Sequence, residues 1–173
     1  MIYILTGPVG SGKTTFLKKV IEELKRQAFK LDGYLSEAIM QDREKIGYDL
    51  LDLGSGKSVP FIRRSGGEDW PRIGLYFFTP EGLSWAKKII LQSREEEILV
   101  VDEIGPLELS GEGVWPVLEK VVFQRSHKFL LVLRRNILED FLKMVGNIKT
   151  KIYELGEENL WPRLIEEIKK PQP

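Results

Sequence analysis

Two short runs carry the residue types that chemistry on a phosphate chain requires. The first is Gly7-Pro8-Val9-Gly10-Ser11-Gly12-Lys13-Thr14-Thr15, a match to G-x-x-x-x-G-K-[ST]. In this spacing the glycines bring backbone N–H groups against an anion with no Cβ in the way. The lysine supplies a mobile positive charge for β- and γ-phosphates, and the Thr14 hydroxyl suits a Mg²⁺ held by the same oxygens. Residues Gly7 to Thr15 are therefore read as a nucleotide-binding loop, with Lys13 also catalytic. The second run is Asp102-Glu103, which closes the apolar stretch Ile98-Leu99-Val100-Val101. Two acids at that place have a joint use: Asp102 joins Thr14 in holding the metal, and Glu103 orients and deprotonates an attacking water.

Both runs need particular elements around them. A phosphate loop wants a strand before it and a helix after it, so that loop and helix N–H groups converge on one anion. Ile2 to Leu5 is a short β-favouring run, and Phe16, Leu17, Val20, Ile21 and Leu24 recur at helical spacing over residues 13 to about 28. Ile98 to Glu103 reads as a strand buried on both faces, and in open α/β sheets ligands sit at the carboxyl ends of such strands. Between the two runs, residues 31–40 and 46–53 read as a β-hairpin, followed by extended chain at 58–63 and 73–78. Gly54-Ser55-Gly56-Lys57 is expected to be a turn and not a second phosphate loop, because it lacks the upstream glycine and no helical pattern follows.

Further along, Thr79-Pro80-Glu81 signals a helix start running to Ser93, and Glu95-Glu96-Glu97 an acidic connector. Gly105 to Ser110 is expected as a turn, 113 to about 125 as a helix, and Phe129 to Leu133 as another buried strand. That strand ends in Arg134-Arg135, two arginines that either reach a γ-phosphate within the same chain or cap the surface. A short helix at 137–145, a last strand at 149–155 and a helix at 157–169 complete the order, with Pro171-Gln172-Pro173 expected to fray. Trp70, Trp85, Trp115 and Trp161 fall in different elements and read as packing residues, not a platform for stacked bases.

Composition narrows the field. The 173 residues suit one domain, 1–173, with a real core. Lys plus Arg and Asp plus Glu both number 26, so no excess positive charge advertises a nucleic acid or an anionic membrane. With no cysteine and a single histidine, His127, disulfides, thiolate zinc sites, a cysteine nucleophile and a histidine metal cluster are excluded. No apolar run approaches the roughly 18 residues that a membrane span needs, and the loop begins at residue 7, so a cytoplasmic protein is expected.

Taken together, Thr6 to Thr15 and Val101-Asp102-Glu103-Ile104-Gly105-Pro106-Leu107-Glu108-Leu109 resemble the small nucleoside-triphosphatases of the thermophile and cancer-related NTPase family. The phosphate loop is shared by many families, whereas D-E-I-G-x-x-E-L is far more restrictive. Asp32 to Glu37 and Lys45 to Asp49 look like the family's hairpin segments, Glu157-Glu158-Asn159 resembles its C-terminal strand exit, and the likeness spans roughly residues 2 to 165. The chain departs from the family pattern at Lys45, where an arginine is usual, at Leu160, where an arginine commonly follows the asparagine, and at Ala38-Ile39-Met40.

The resemblance implies an α/β P-loop NTPase fold of three layers, RecA-like or AAA-like, with a mostly parallel sheet and a β-hairpin insertion. It implies hydrolysis of ATP, GTP and other nucleoside triphosphates to diphosphate and phosphate with Mg²⁺, with broad base tolerance. It also brings Glu108 and Asn159 into the candidate set beside Arg134 and Arg135, with Asn159 placed near a base. Two other readings share the loop: a nucleotide or nucleoside kinase, for which Arg63, Arg64 and Arg72 would furnish a lid, and a nucleotide-dependent switch whose hydrolysis is incidental.

Overall fold

The computed structural model describes residues 1–95 and 97–171. Glu96 of the acidic connector and Gln172 and Pro173 of the tail lie outside the described residues. Among the described residues nine strands form one sheet: β1 (Ile2–Gly7), β2 (Leu31–Gln41), β3 (Glu44–Asp52), β4 (Ser58–Arg63), β5 (Arg72–Ile73), β6 (Tyr76–Phe78), β7 (Ile98–Ile104), β8 (Lys128–Arg134) and β9 (Thr150–Glu154). Their order across the sheet is β5-β6-β4-β3-β2-β7-β8-β1-β9. The helices are α1 (Lys13–Arg26), α2 (Pro80–Gln92), α3 (Pro106–Leu109), α4 (Trp115–Gln124), α5 (Leu138–Val145) and α6 (Leu160–Lys169), with a 3₁₀ turn at Arg135–Ile137.

The expectation of a mostly parallel sheet needs correction. The strands β2, β7, β8, β1 and β9 pair in parallel, whereas β2-β3, β3-β4, β4-β6 and β5-β6 are antiparallel. The reason is chain length between strands. A parallel neighbour needs a crossover of a dozen residues or more, and the chain from β2 to β6 has only short turns. The β2–β3 turn is two residues, Asp42 and Arg43, both at positive φ, as a tight hairpin loop demands. The hairpin is therefore the first step of an antiparallel half-sheet. Gly105 to Ser110 also differs from expectation: Pro106–Leu109 makes the short helix α3, with Glu108 capping its start.

Helices cover both faces of the parallel half. On one side Leu17, Val20, Ile21 and Leu24 of α1 and Leu160, Leu164, Ile165 and Ile168 of α6 pack on Tyr3, Leu5, Val100 and Val132. On the other, Ala86, Ile89 and Ile90 of α2, Leu118 and Val121 of α4 and Phe141 of α5 pack on Ile2, Ile4, Leu99, Val101 and Leu131. Alternate residues of β7 thus enter opposite cores, which is why that strand is apolar without a break. Three layers result, helices–sheet–helices. The start of α2 follows its sequence signal: Thr79 Oγ1 accepts the Gly82 N–H at 3.0 Å, and Pro80 occupies the first turn.

Where β2 meets β7 the backbones come unusually close. A Cβ on Gly33 would stand 1.8 Å from the Val100 carbonyl oxygen, and Gly33 has φ +109°. Only glycine fits there. That approach sets β2 beside the carboxyl end of β7 and brings Ser36 to Asp102.

Among the described residues no helix is long and apolar enough to cross a membrane. Residues Asp52 to Lys57 form the expected turn, whose N–H groups at Gly54 and Ser55 are taken by the Asp52 carboxylate at 2.9 and 3.1 Å. Two of the four tryptophans pack on aromatic rings: Trp115 meets Phe141 edge-on at 5.9 Å, and Trp161 meets Phe16 at 5.8 Å.

Candidate active site

The chain from β1 into α1 is a loop whose glycines do the turning. Gly10 and Gly12 have φ +74° and +89°, in the left-handed region that favours glycine, and Gly12 is the residue immediately before the first turn of α1. Ser11 closes the loop by donating both its N–H and its hydroxyl to the Pro8 carbonyl, at 3.3 and 2.8 Å. Lys13 folds back over it: Nζ donates to the carbonyls of Pro8 at 2.7 Å and Gly7 at 3.2 Å. Partial burial pushes the Lys13 ammonium below its ordinary range, with the Glu103 charge opposing that and Arg134 adding to it.

A cleft of about 730 Å³ opens above this loop. Val9, Gly10, Gly12, Lys13, Thr14 and Thr15 form its floor, and Asp102, Glu103 and Arg134 close one side. The antiparallel half supplies the opposite wall through Ser36, Glu37 and Ala38 of β2, Lys45 and Tyr48 of β3, and Tyr76 of β6. The site therefore lies where the parallel and antiparallel halves of the sheet meet.

Asp102 is 1% exposed. Its Oδ2 accepts the Thr14 hydroxyl at 3.0 Å and the Ser36 N–H at 3.1 Å, while its carbonyl accepts the Ser36 hydroxyl at 3.2 Å. Burial pushes the carboxyl up to about 7. The Ser36 N–H, the Thr14 hydroxyl and the Lys13 charge pull the other way, and the neighbouring Glu103 charge adds to the rise.

Glu103 occupies a backbone position that side-chain-bearing residues seldom take, at φ +71°. The cause is visible in the strand register. Pairing of β7 with β8 steps from Val101–Leu131 to Ile104–Leu133, so β7 advances one residue more than its partner across the acidic pair. In a regular strand neighbours point to opposite faces. The bulge lets consecutive acids line one cleft. Glu103 Oε1 accepts Nη2 of Arg134 at 2.7 Å.

The remaining candidates separate. Arg134 lines the cleft. Arg135 turns away and pairs with Glu154 at the end of β9. Glu108 is buried and aims into the protein: Oε2 accepts the Gly105 N–H at 2.9 Å and Oε1 the Val114 N–H at 3.3 Å, so it joins α3 to the start of α4. Asn159 is exposed at the entrance to α6, with φ +54°. None of Arg135, Glu108 and Asn159 lines the cleft. The three lid arginines of the kinase reading are engaged elsewhere: Arg63 with Asp49 and the Tyr48 carbonyl, Arg64 with Glu44, and Arg72 with the Gly74 carbonyl.

Sequence reasoning missed Ser36, Tyr48, Tyr76 and the active-site side of Lys45. Lys45 Nζ donates to the Tyr48 hydroxyl at 2.7 Å, and the rings of Tyr48 and Tyr76 meet edge-on at 6.3 Å. The signal for Ser36 was present in Gly33, three residues upstream: a glycine within an apolar strand marks close approach of another backbone.

A model of the NTPase family matches residues 2–169. The chain belongs to the NTPase family. A nucleoside-triphosphatase THEP1 from Archaeoglobus fulgidus is 30% identical, with 95% of this chain and 94% of the relative covered. One of the same name from Pyrococcus abyssi is 27% identical over 98% of this chain and 93% of the relative. Among solved structures, the solution structure of a human cancer-related nucleoside triphosphatase superposes with a TM-score of 0.78, at 23% identity over 99% of this chain and 98% of that one. The crystal structure of THEP1 from Aquifex aeolicus gives 0.72, at 19% identity over 98% and 100%. At those identities the superpositions speak for the fold.

Among the described residues no group of three or more His, Cys, Asp or Glu could hold a metal ion. A Mg²⁺ bound through substrate needs less: it takes one or two protein oxygens and fills its octahedron with phosphate oxygens and water. Thr14 Oγ1 and Asp102 Oδ2, 3.0 Å apart, supply two hard oxygens beside the loop. They fit such an ion, whose charge would favour the ionised Asp102 against the effect of burial.

Proposed function

We propose that this chain is a Mg²⁺-dependent nucleoside-triphosphatase of broad base tolerance, converting ATP, GTP and other nucleoside triphosphates to diphosphate and phosphate. The observation that carries the reading is the convergence of Lys13, Thr14, Asp102 and Glu103 on one cleft, although 88 residues separate Thr14 from Asp102. The family and the names of its relatives support it. The reading treats residues 1–173 as one P-loop domain of RecA-like or AAA-like kind, working in the cytoplasm, with nucleoside triphosphates as its partners and neither nucleic acid nor membrane required.

In this reading the backbone N–H groups from Gly7 to Thr15 hold the α- and β-phosphates, and Lys13 leaves the Gly7 and Pro8 carbonyls to neutralise the β- and γ-oxygens. Thr14 and Asp102 would hold the magnesium ion, which when bound would neutralise charge on the phosphate oxygens. Glu103 accepts a proton from the water that attacks the γ-phosphorus, and the electron pair of the broken P–O bond leaves with the diphosphate. The work is positioning and charge stabilisation, as phosphoryl transfer generally requires.

The test is phosphate release across a panel of nucleoside triphosphates, with and without nucleoside acceptors, for the parent chain and for Glu103→Gln. Release without acceptor, lost in Glu103→Gln while nucleotide still binds, is expected. Release that requires an acceptor would make the chain a kinase, and unchanged turnover in Glu103→Gln would remove that residue from the chemistry.

A further inference from the structure

One oxygen of the Glu103 carboxylate, Oε1, is already engaged by a cation in this structure. Its carboxylate is held by Arg134 at 2.7 Å, in a pair whose side chains are 23% and 36% exposed. Arg134 ends β8, the strand between β7 and β1, and its register partner on β1 is Gly7, the first residue of the phosphate loop. The guanidinium therefore projects between the loop and the acidic pair, on the edge of the cleft. Lys13 is committed in the same way, to two loop carbonyls. Lys13 and Arg134 thus both hold protein oxygens at the cleft, beside the loop that would receive a polyphosphate.

A guanidinium that holds one carboxylate oxygen has donors to spare, and a phosphate, which carries more charge than a carboxylate and suits the same donor fork, competes for them. The loop N–H groups account for the phosphates nearer the nucleoside, and Lys13 spans the β- and γ-oxygens. The terminal phosphate of a triphosphate is the group that extends toward the acids, and a diphosphate leaves that place empty.

We propose that Arg134 is a latch on Glu103 that the γ-phosphate opens: without it the guanidinium holds the Glu103 carboxylate, and with it the guanidinium moves to the phosphate and frees Glu103 to take the proton of the attacking water. This rests on the nucleoside-triphosphatase reading. It gives the general base a condition, because Glu103 is released only when a γ-phosphate is present to be attacked. It also assigns Arg134 two successive partners and distinguishes it from Arg135, whose partner is Glu154.

The experiment is calorimetric affinity for a non-hydrolysable triphosphate and for the corresponding diphosphate, measured on the full chain and on Arg134→Ala, Arg134→Lys, Glu103→Gln and the Arg134→Ala/Glu103→Gln double variant. Arg134→Ala should weaken the triphosphate roughly tenfold, the scale of one charge-assisted contact, and leave the diphosphate within about twofold. Arg134→Lys should restore part of the triphosphate affinity. Glu103→Gln should tighten the triphosphate, because the guanidinium no longer has a competing carboxylate, and that gain should vanish in the double variant. Equal weakening of both nucleotides in Arg134→Ala, or a gain from Glu103→Gln that persists without Arg134, would overturn the latch and leave the hydrolase reading standing. A parent chain that binds no nucleotide would overturn both, whereas the expected affinities with acceptor-free phosphate release absent would sink the hydrolase and water as the proton donor, and leave only the exchange of Arg134 between Glu103 and the γ-phosphate.

Discussion

The Thr14 hydroxyl donates to Oδ2 of Asp102 at 3.0 Å, tying the first turn of α1 to the end of β7. With its proton engaged there, Thr14 Oγ1 turns its lone pairs elsewhere, and the cleft is what it faces. Asp102 thus orients the hydroxyl as well as offering an oxygen of its own. Thr14→Ser keeps that hydroxyl and Thr14→Val removes it at nearly constant shape. The Val variant is expected to raise the Mg²⁺ concentration for half-maximal phosphate release by roughly tenfold or more, the usual penalty for a lost metal-site oxygen or its orienting partner, with Thr14→Ser close to the parent. The same metal dependence in all three chains would remove Thr14 from the metal site.

Glu103 should be a position where glycine is more stable than alanine. In ordinary extended or helical backbone the preference runs the other way, by roughly 0.5–1 kcal/mol. At φ +71° a Cβ is strained, and such conformations cost about 1–3 kcal/mol. Glu103→Gly and Glu103→Ala both lose the Arg134 ion pair, so their difference isolates the backbone. Chemical denaturation should find the Gly variant more stable by about 1 kcal/mol, with both devoid of turnover. Alanine equal or superior to glycine would mean that the bulge relaxes once the carboxylate is gone.

What was legible in the chain divides along the sheet. The loop, α1 and β7 declare themselves locally, because glycine spacing, helical periodicity and an apolar run are properties of consecutive residues. Asp102 and Glu103 were legible as a pair, but the backbone that brings both into one cleft was not: alternation along a strand sends neighbours to opposite faces, and the extra residue of β7 appears only in its pairing with β8. Ser36, Tyr48 and Tyr76 escaped notice for a related reason. Their place in the cleft depends on β2 lying beside β7 and on β3, β4 and β6 continuing the sheet antiparallel, and strand neighbours are set by pairing across distant sequence. Glu108, carried on resemblance alone, proves to be an inward cap. A carboxylate four residues beyond a strand end reads the same in sequence whether it turns to ligand or to backbone N–H groups.

That inward cap makes stability depend on pH in an uncommon direction. Burial pushes the Glu108 carboxyl up to about 7 from an ordinary 4.5; the N–H groups of Gly105 and Val114 pull it down, and the Glu103 charge adds to the rise. With the folded value above the unfolded one, the native state holds a proton that the unfolded chain has released. Its stabilising contribution is therefore complete below pH 4.5 and is lost as pH rises through about 7. Glu108→Gln cannot titrate, and it leaves one of the two N–H groups without an acceptor, so it should be the less stable chain in acid by about 1–3 kcal/mol. The gap in unfolding free energy between parent and variant should narrow from pH 5 toward pH 8, because only the parent loses a contribution in that window. Asp102 titrates in both chains and cancels in the difference. A gap that widens with pH would show instead that the two N–H groups outweigh burial and keep the Glu108 carboxylate ionised throughout.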